Sequence, residues 1–247
     1  MVCGALLCLG CKKKQPPNHQ ELLVFAAASL NDVFSSIVSD FEEKHPDIDV
    51  QISFAGSQSL RTQIENGARP DVFASANEEH LDALIKKGFA KNKNIFALNQ
   101  MVVALYKDRN FEIKDFKDIL KVKSLVLAGA SVPAGAYAEE VLAKATKAYG
   151  LEWRNRLEEK VVSRETHVRQ TLQKVILGEA DAAIVYATDV ASTMENISVV
   201  GIPDEFNIRA HYPIAEIGGN ENAKIFVDFL SSKMGKEKLQ LHGFLLP

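Results

Sequence analysis

The sequence predicts an α/β protein of two lobes, each a mostly parallel sheet flanked by helices. Three observations lead there. Short apolar runs alternate with amphipathic helical stretches along most of the chain. Small and hydroxyl-bearing residues recur where a strand gives way to a helix, and apolar segments near Met101 and Ala210 are placed to cross between lobes. The first lobe is then built from residues 21–100 and 207–247, the second from the inserted 101–206, and 1–20 stand apart. With 247 residues the chain is long enough for two lobes of about 100 residues each.

Residues 1–10 are apolar and small and read as the end of a signal sequence, too short for a membrane-crossing helix, which needs about 20 residues. All three cysteines, Cys3, Cys8 and Cys11, lie in this region. The body therefore holds no disulfide framework, no thiolate zinc site and no catalytic cysteine. Residues 12–19, with three lysines and two prolines, have the composition of a flexible tether.

In the body, a strand over 22–26 passes through Ala27-Ala28-Ser29 into a helix marked by Leu30, Val33, Phe34, Ile37, Val38 and Phe41. Ser29 is placed to cap that helix, which stops near Pro46. A strand over 50–55 leads through Gly56-Ser57-Gln58-Ser59 into a helix ended by Gly67. The strand 71–76 is followed by a helix capped by Asn77 and stopped at Gly88. Residues 101–106 form a continuous apolar strand, and 111–120 a more polar passage.

The second half repeats the arrangement. A strand over 124–128, a loop over 129–135 and a helix over 136–149 end at Gly150. A strand over 160–162 passes through 163–166 into a helix ended by Gly178, and a strand over 182–186 gives way at Ala187-Thr188 to a short helix. After a strand over 197–202, the extended segment 210–217 contains Pro213, which restricts it to an edge or crossover. Asn220 caps a helix carrying Ala223, Phe226, Phe229 and Leu230, and a last helical stretch starts at Lys236.

A net charge of −3 with interspersed lysines and acids offers no basic excess for nucleic acid. His19, His45, His80, His211 and His242 show no metal-ligand spacing and read as surface or tether residues. Ala55-Gly56-Ser57-Gln58-Ser59 departs from the Gly-x-Ser-x-Gly turn of serine hydrolases, and no His–Asp partnership accompanies it.

Five junctions share one character: Ser29, Ser57, Ala134, Val168 just after Thr166, and Tyr186 are all uncharged. Ligands of open α/β sheets bind beyond the carboxyl ends of strands, so facing lobes would point all five into one cleft. Hydroxyls and helix-start amides donate hydrogen bonds without a counter-charge, which suits an ionised oxyanion.

The body over 21–247 resembles the periplasmic molybdate-binding components of ABC transporters. The resemblance is carried by Phe25-Ala26-Ala27-Ala28-Ser29-Leu30, Phe54-Ala55-Gly56-Ser57-Gln58-Ser59-Leu60, Asp71-Val72-Phe73-Ala74-Ser75-Ala76, Val132-Pro133-Ala134-Gly135-Ala136-Tyr137-Ala138, Val168-Arg169 and Ile184-Val185-Tyr186. It implies a two-lobed periplasmic-binding-protein-like fold of type II that closes on molybdate or tungstate and delivers it to an ABC permease. It further implies that Ser29 and Ser57 bind through hydroxyl and backbone N–H, Ala134 and Val168 through backbone N–H, and Tyr186 through its phenol. Molybdenum would be held only as its oxyanion, by a monomer with no catalytic residues and no further cofactor. Leu7-Cys8-Leu9-Gly10-Cys11 resembles a bacterial lipobox, which implies lipidation of Cys11 and anchoring outside the cytoplasmic membrane.

Two positions depart from the family's pattern: Ala130-Ser131 stand where Asp-Pro is frequent, and His167 precedes Val168 where an acidic or amide residue is common. A histidine there would make affinity depend on pH. The alternatives to molybdate capture are another tetrahedral oxyanion such as sulfate, a serine hydrolase, or a cytoplasmic effector-sensing domain.

Overall fold

The computed structural model describes residues 20–107, 111–191, 193 and 195–247. Cys3, Cys8, Cys11 and His19, and with them the signal, tether and lipidation expectations, lie outside the described residues.

In the first half, β1 (Gln20–Ala27), α1 (Asn31–Lys44), β2 (Ile48–Ala55), α2 (Ser57–Glu65), β3 (Val72–Ala74) and α3 (Glu78–Lys86) alternate, followed by β4 (Asn94–Asn99). The chain then enters β5 (Met101–Tyr106) and β6 (Leu125–Ala128), α4 (Pro133–Tyr149), α5 (Leu151–Glu158) and β7 (Val161–Glu165). It continues through α6 (Val168–Ile176), β8 (Ala182–Tyr186), the single turn α7 (Ala187–Val190) and β9 (Ile197–Gly201). Last come β10 (Ala210–Glu216), α8 (Glu221–Ser231) and α9 (Lys233–Leu241).

The strands form two five-stranded sheets of identical topology, β2-β1-β3-β10-β4 and β7-β6-β8-β5-β9. In each, four strands point the same way and one is reversed: β10 is antiparallel to β3 and β4, and β5 to β8 and β9. The reversed strand is in both cases the one arriving from the other sheet, β5 after β4 and β10 after β9. A strand that crosses between two facing lobes enters the second from its ligand side, so it runs against the strands whose carboxyl ends face the cleft. Asn207 ties the two crossings together, accepting from the Met101 N–H at 3.1 Å and donating to the Met101 carbonyl at 2.9 Å.

Helices cover both faces of the first sheet. Phe34 and Phe41 of α1 meet Phe226 of α8 edge to face, with centroids 6.0 and 5.2 Å apart. On the other face Leu60 and Ile64 of α2 and Leu81 and Leu84 of α3 pack with Phe25, Phe73 and Ala215. Such aromatic pairs add about 0.5–1.5 kcal/mol each beyond the area they bury.

Several elements depart from the sequence expectation. Of the two placements expected for Pro213, edge or crossover, β10 is the crossover: it arrives from the other sheet and lies inside its own, accommodating Pro213 with a register shift between Tyr212 and Pro213. The ring removes only an N–H, and the Pro213 carbonyl still accepts from the Ser75 N–H at 2.9 Å. The expected loop over 129–135 is shorter, because α4 starts at Pro133, whose fixed φ suits a first helical position. The final helix begins at Lys233 with Ser232 as its cap, and β7 extends through Glu165. The strand β4 and the helix α5 had no counterpart in the sequence reading.

Candidate functional site

Ser29 does not cap α1. The residues Ala28–Leu30 make a turn of 3₁₀ helix ahead of it, Leu30 holds the cap position, and no side chain bonds the α1 terminus. The turn leaves Ser29 buried, its Oγ accepting from the Tyr212 hydroxyl at 3.0 Å. The alanines that seemed to precede a cap instead let the backbone turn tightly at the end of β1.

At the next junctions the helix starts are regular. Ser57, Ala134 and Val168 occupy the first or second position of α2, α4 and α6, behind Gly56, Val132 and His167. First-turn N–H groups have no carbonyl within their own helix to bond, and they carry its positive end. Pro133 has no N–H, so Ala134 supplies the first one of α4. Tyr186 ends β8 and precedes α7.

These five residues, separated by up to 157 positions in the sequence, line one cleft together with Ala27, Ala28, Gly56, Ala76, Val132, Pro133 and His167. The cleft is narrow, with about 210 Å³ between its walls when the open solvent at its mouth is counted and room inside for about 10 Å³, and no Asp, Glu, Lys or Arg lines it. A larger hollow of about 790 Å³ beside Lys91 and Glu216 contains none of the five.

The hydrogen-bonding state of each side chain decides what it offers. The Ser57 Oγ accepts from the Ala76 N–H at 3.1 Å, so its proton remains available to the cleft. Tyr186 is fully buried, and burial pushes its phenol well above the ordinary range, so it stays protonated. Its hydroxyl makes no hydrogen bond of regular geometry among the described residues, and the nearby Tyr212 hydroxyl adds to the upward shift. Its ring is held edge-on to Tyr212 and Tyr137, with centroids 5.7 and 6.4 Å apart. His167 caps α6 through Nδ1, which accepts from the Gln170 N–H at 3.3 Å, and burial lowers its pKa below the usual histidine value. It therefore faces the cleft neutral at pH 7, carrying its proton on Nε2.

A cation adjacent in sequence to the cleft lining is held away from it. Arg169, next after Val168, bonds Asp32 at 2.7 Å and pairs with Asp189 at 3.3 Å. Asp189 is fully buried, and burial raises its carboxyl to about 7 despite the guanidinium.

The two lobes meet around the cleft. Gln58 Nε2 donates to the Thr166 carbonyl at 2.7 Å, and Arg169 of α6 reaches Asp32 of α1. His80 of α3 lies 3.0 Å from the Ser131 carbonyl, which makes its Nε2 the donor. The expectation that His80 is a surface residue is corrected, since it is 2% exposed and burial lowers its pKa. Its Nδ1 has no partner among the described residues. Gln58 and Arg169 enter the sequence analysis only as members of stretches that carry the resemblance, and His80 and Tyr212 have no site role there, because their partners lie in other elements and no local spacing marks them.

The model of a family described as bacterial extracellular solute-binding protein matches residues 22–245. The chain is 32% identical over 233 residues to the molybdate-binding protein ModA of Mycobacterium tuberculosis, covering 92% of this chain and 85% of that one. It is 30% identical over 253 residues to the putative ABC transporter substrate-binding lipoprotein YvgL of Bacillus subtilis, covering 97% and 93%. Among solved structures, the Azotobacter vinelandii periplasmic molybdate-binding protein superposes with a TM-score of 0.79 at 20% identity, covering 92% of this chain and 99% of that one. The sulfate-binding protein SubI of Mycobacterium tuberculosis superposes with 0.81 at 18%, covering 92% and 87%. At these identities the two structures speak for the fold alone, which is the two-lobed type II arrangement.

Proposed function

The chain belongs to the bacterial extracellular solute-binding protein family, and on that footing we propose that it captures molybdate or tungstate outside the cytoplasmic membrane for an ABC permease. The observation that carries the proposal is a cleft of convergent donors with no charged side chain in its lining. A tetrahedral dianion placed there receives the hydroxyls of Ser29, Ser57 and Tyr186 and the first-turn N–H groups of α2, α4 and α6. Hydrogen bonds to a charged partner are worth about 1.5–3 kcal/mol each, so several together offset the several kcal/mol cost of drying the ion. An anion that keeps a proton needs an acceptor, and no carboxylate lines the cleft to provide one. Relatives of 30–32% identity are named for molybdate binding and for ABC transport, which supports the same ligand and a permease partner.

Gln58–Thr166, Arg169–Asp32 and His80–Ser131 join the lobes around the cleft, and the closed state they hold is the one a permease would read. Lipid attachment at Cys11 is part of the proposal, supported by Leu7-Cys8-Leu9-Gly10-Cys11 and by the relative named as a lipoprotein. The protein works as a monomer with no catalytic step.

Thermal unfolding with molybdate, tungstate, sulfate and phosphate tests the reading. At a ligand concentration of about 100 Kd the stabilisation is about 2.7 kcal/mol, a rise in Tm of roughly 5–10 °C for a chain of this size. A rise with sulfate or phosphate and none with molybdate or tungstate would overturn it.

A further inference from the structure

The Ser29 hydroxyl receives its orientation from behind the cleft. Tyr212 of β10 is 0% exposed and is absent from the cleft lining, yet its hydroxyl lies 3.0 Å from Ser29 Oγ. Which of the two oxygens donates is decided one step further back. Asn99, buried at the end of β4, lies with Nδ2 3.4 Å from the Tyr212 hydroxyl and 2.8 Å from Thr188 Oγ1 of α7. Its Oδ1 accepts from the Gln100 N–H at 2.9 Å, which settles which end of the amide faces the tyrosine. An NH₂ group only donates, so the Tyr212 oxygen accepts from Asn99; its single proton goes to Ser29 at 3.0 Å, since the neighbouring Tyr186 hydroxyl, kept protonated by burial, makes no hydrogen bond of regular geometry among the described residues. Ser29 then cannot turn its own proton onto the phenol oxygen, and that proton is left for the cleft. Ser57 receives the same treatment from a backbone group, the Ala76 N–H.

We propose that Tyr212, oriented by Asn99, is a positioning residue that holds the Ser29 hydroxyl as a donor, and that this relay helps the site to select a fully deprotonated oxyanion over one carrying a proton. The inference rests on the oxyanion reading above. The relay starts at the crossing from β4 to β5 and touches Thr188 of the second lobe, so Ser29 is set in its final orientation by the same contacts that join the lobes.

The test compares wild type, Tyr212→Phe, Ser29→Ala and the double variant by calorimetric titration with molybdate and with phosphate near pH 6, where phosphate is largely protonated. A phenylalanine ring fits the aromatic surroundings of Tyr212, whose centroid lies 6.4, 5.7 and 5.4 Å from Phe96, Tyr186 and Phe244. Urea unfolding of the ligand-free variants reports any change in the fold. Tyr212→Phe is expected to weaken molybdate binding about tenfold and to lower the ratio of molybdate to phosphate affinity. In the Ser29→Ala background the same substitution is expected to change molybdate affinity by less than about twofold, because a residue acting through Ser29 has nothing left to act on. Unchanged affinity and ratio in Tyr212→Phe, or an equal loss in both backgrounds, would overturn the proposal. Wild-type protein that binds neither molybdate nor tungstate would instead remove the functional reading, and this inference with it.

Discussion

Replacing Gly56 by alanine tests whether the lobes close as described. Gly56 has φ −62° and ψ 137°, a conformation open to any residue, so the substitution introduces no backbone strain of its own. The added Cβ, however, would lie 2.6 Å from the Thr166 carbonyl of the opposite lobe and 2.5 Å from the Gln58 amide atoms. Gln58 can swing aside, although it then loses its 2.7 Å bond to Thr166. The carbonyl is backbone, and reaching an ordinary contact of 3.4 Å requires the lobes to part there by about 0.8 Å. Overpacking of this kind costs about 1–3 kcal/mol, which falls on the closed state alone. Molybdate affinity should therefore drop roughly 5- to 150-fold, while the stability of the ligand-free protein changes by less than about 1 kcal/mol. Calorimetric titration gives the affinity, urea unfolding the stability, and small-angle scattering the compaction on adding molybdate. Binding within twofold of wild type, with the same compaction, would refute closure of Gly56 against Thr166.

Tyr186→Phe should weaken molybdate binding roughly 10- to 100-fold with little effect on unfolding, since the lost hydroxyl makes no regular hydrogen bond among the described residues; a large fall in stability at full affinity would show that the phenol serves the core instead. For Asp189, burial raises the folded carboxyl from 3.8 to about 7, so the folded state holds a proton that the unfolded chain has released, and stability falls as pH rises between those values. The urea midpoint of Asp189→Asn should accordingly fall less than that of wild type from pH 5 to 7.5, and parallel curves would remove the assignment. His80 and His167 act in the opposite sense, their lowered values costing stability as pH falls through about 6.5, so the two proteins are compared at each pH.

How far the sequence could be read depended on how local each rule is. Asn77 and Asn220 cap α3 and α8 as expected, their side chains accepting from the N–H groups of His80 and Asn222. Gly67, Gly88 and Gly178 follow helix ends with φ of 106°, 78° and 70°, a region closed to most other residues. The missed elements had weak local signals. The helix α5 buries only Trp153 and Leu157, leaves Leu151 exposed and is polar elsewhere, and β4 follows a lysine-rich turn with no helix after it to mark a repeat. Ser29 bonds Tyr212 and does not cap α1, a difference the local pattern cannot carry, because a serine at the start of an apolar helical period looks the same whether it bonds its own helix or a strand far along the chain.

By itself the sequence determined the order of strands and helices apart from β4 and α5, the five uncharged junctions and the family they resemble, because periodicity, caps and helix stops act within a few residues. Only the tertiary structure decided which oxygen donates to which. Tyr212 and Ser29 are 183 residues apart and Gln58 and Thr166 are 108 apart, and hydrogen-bond polarity is a property of the partner that folding brings to the site.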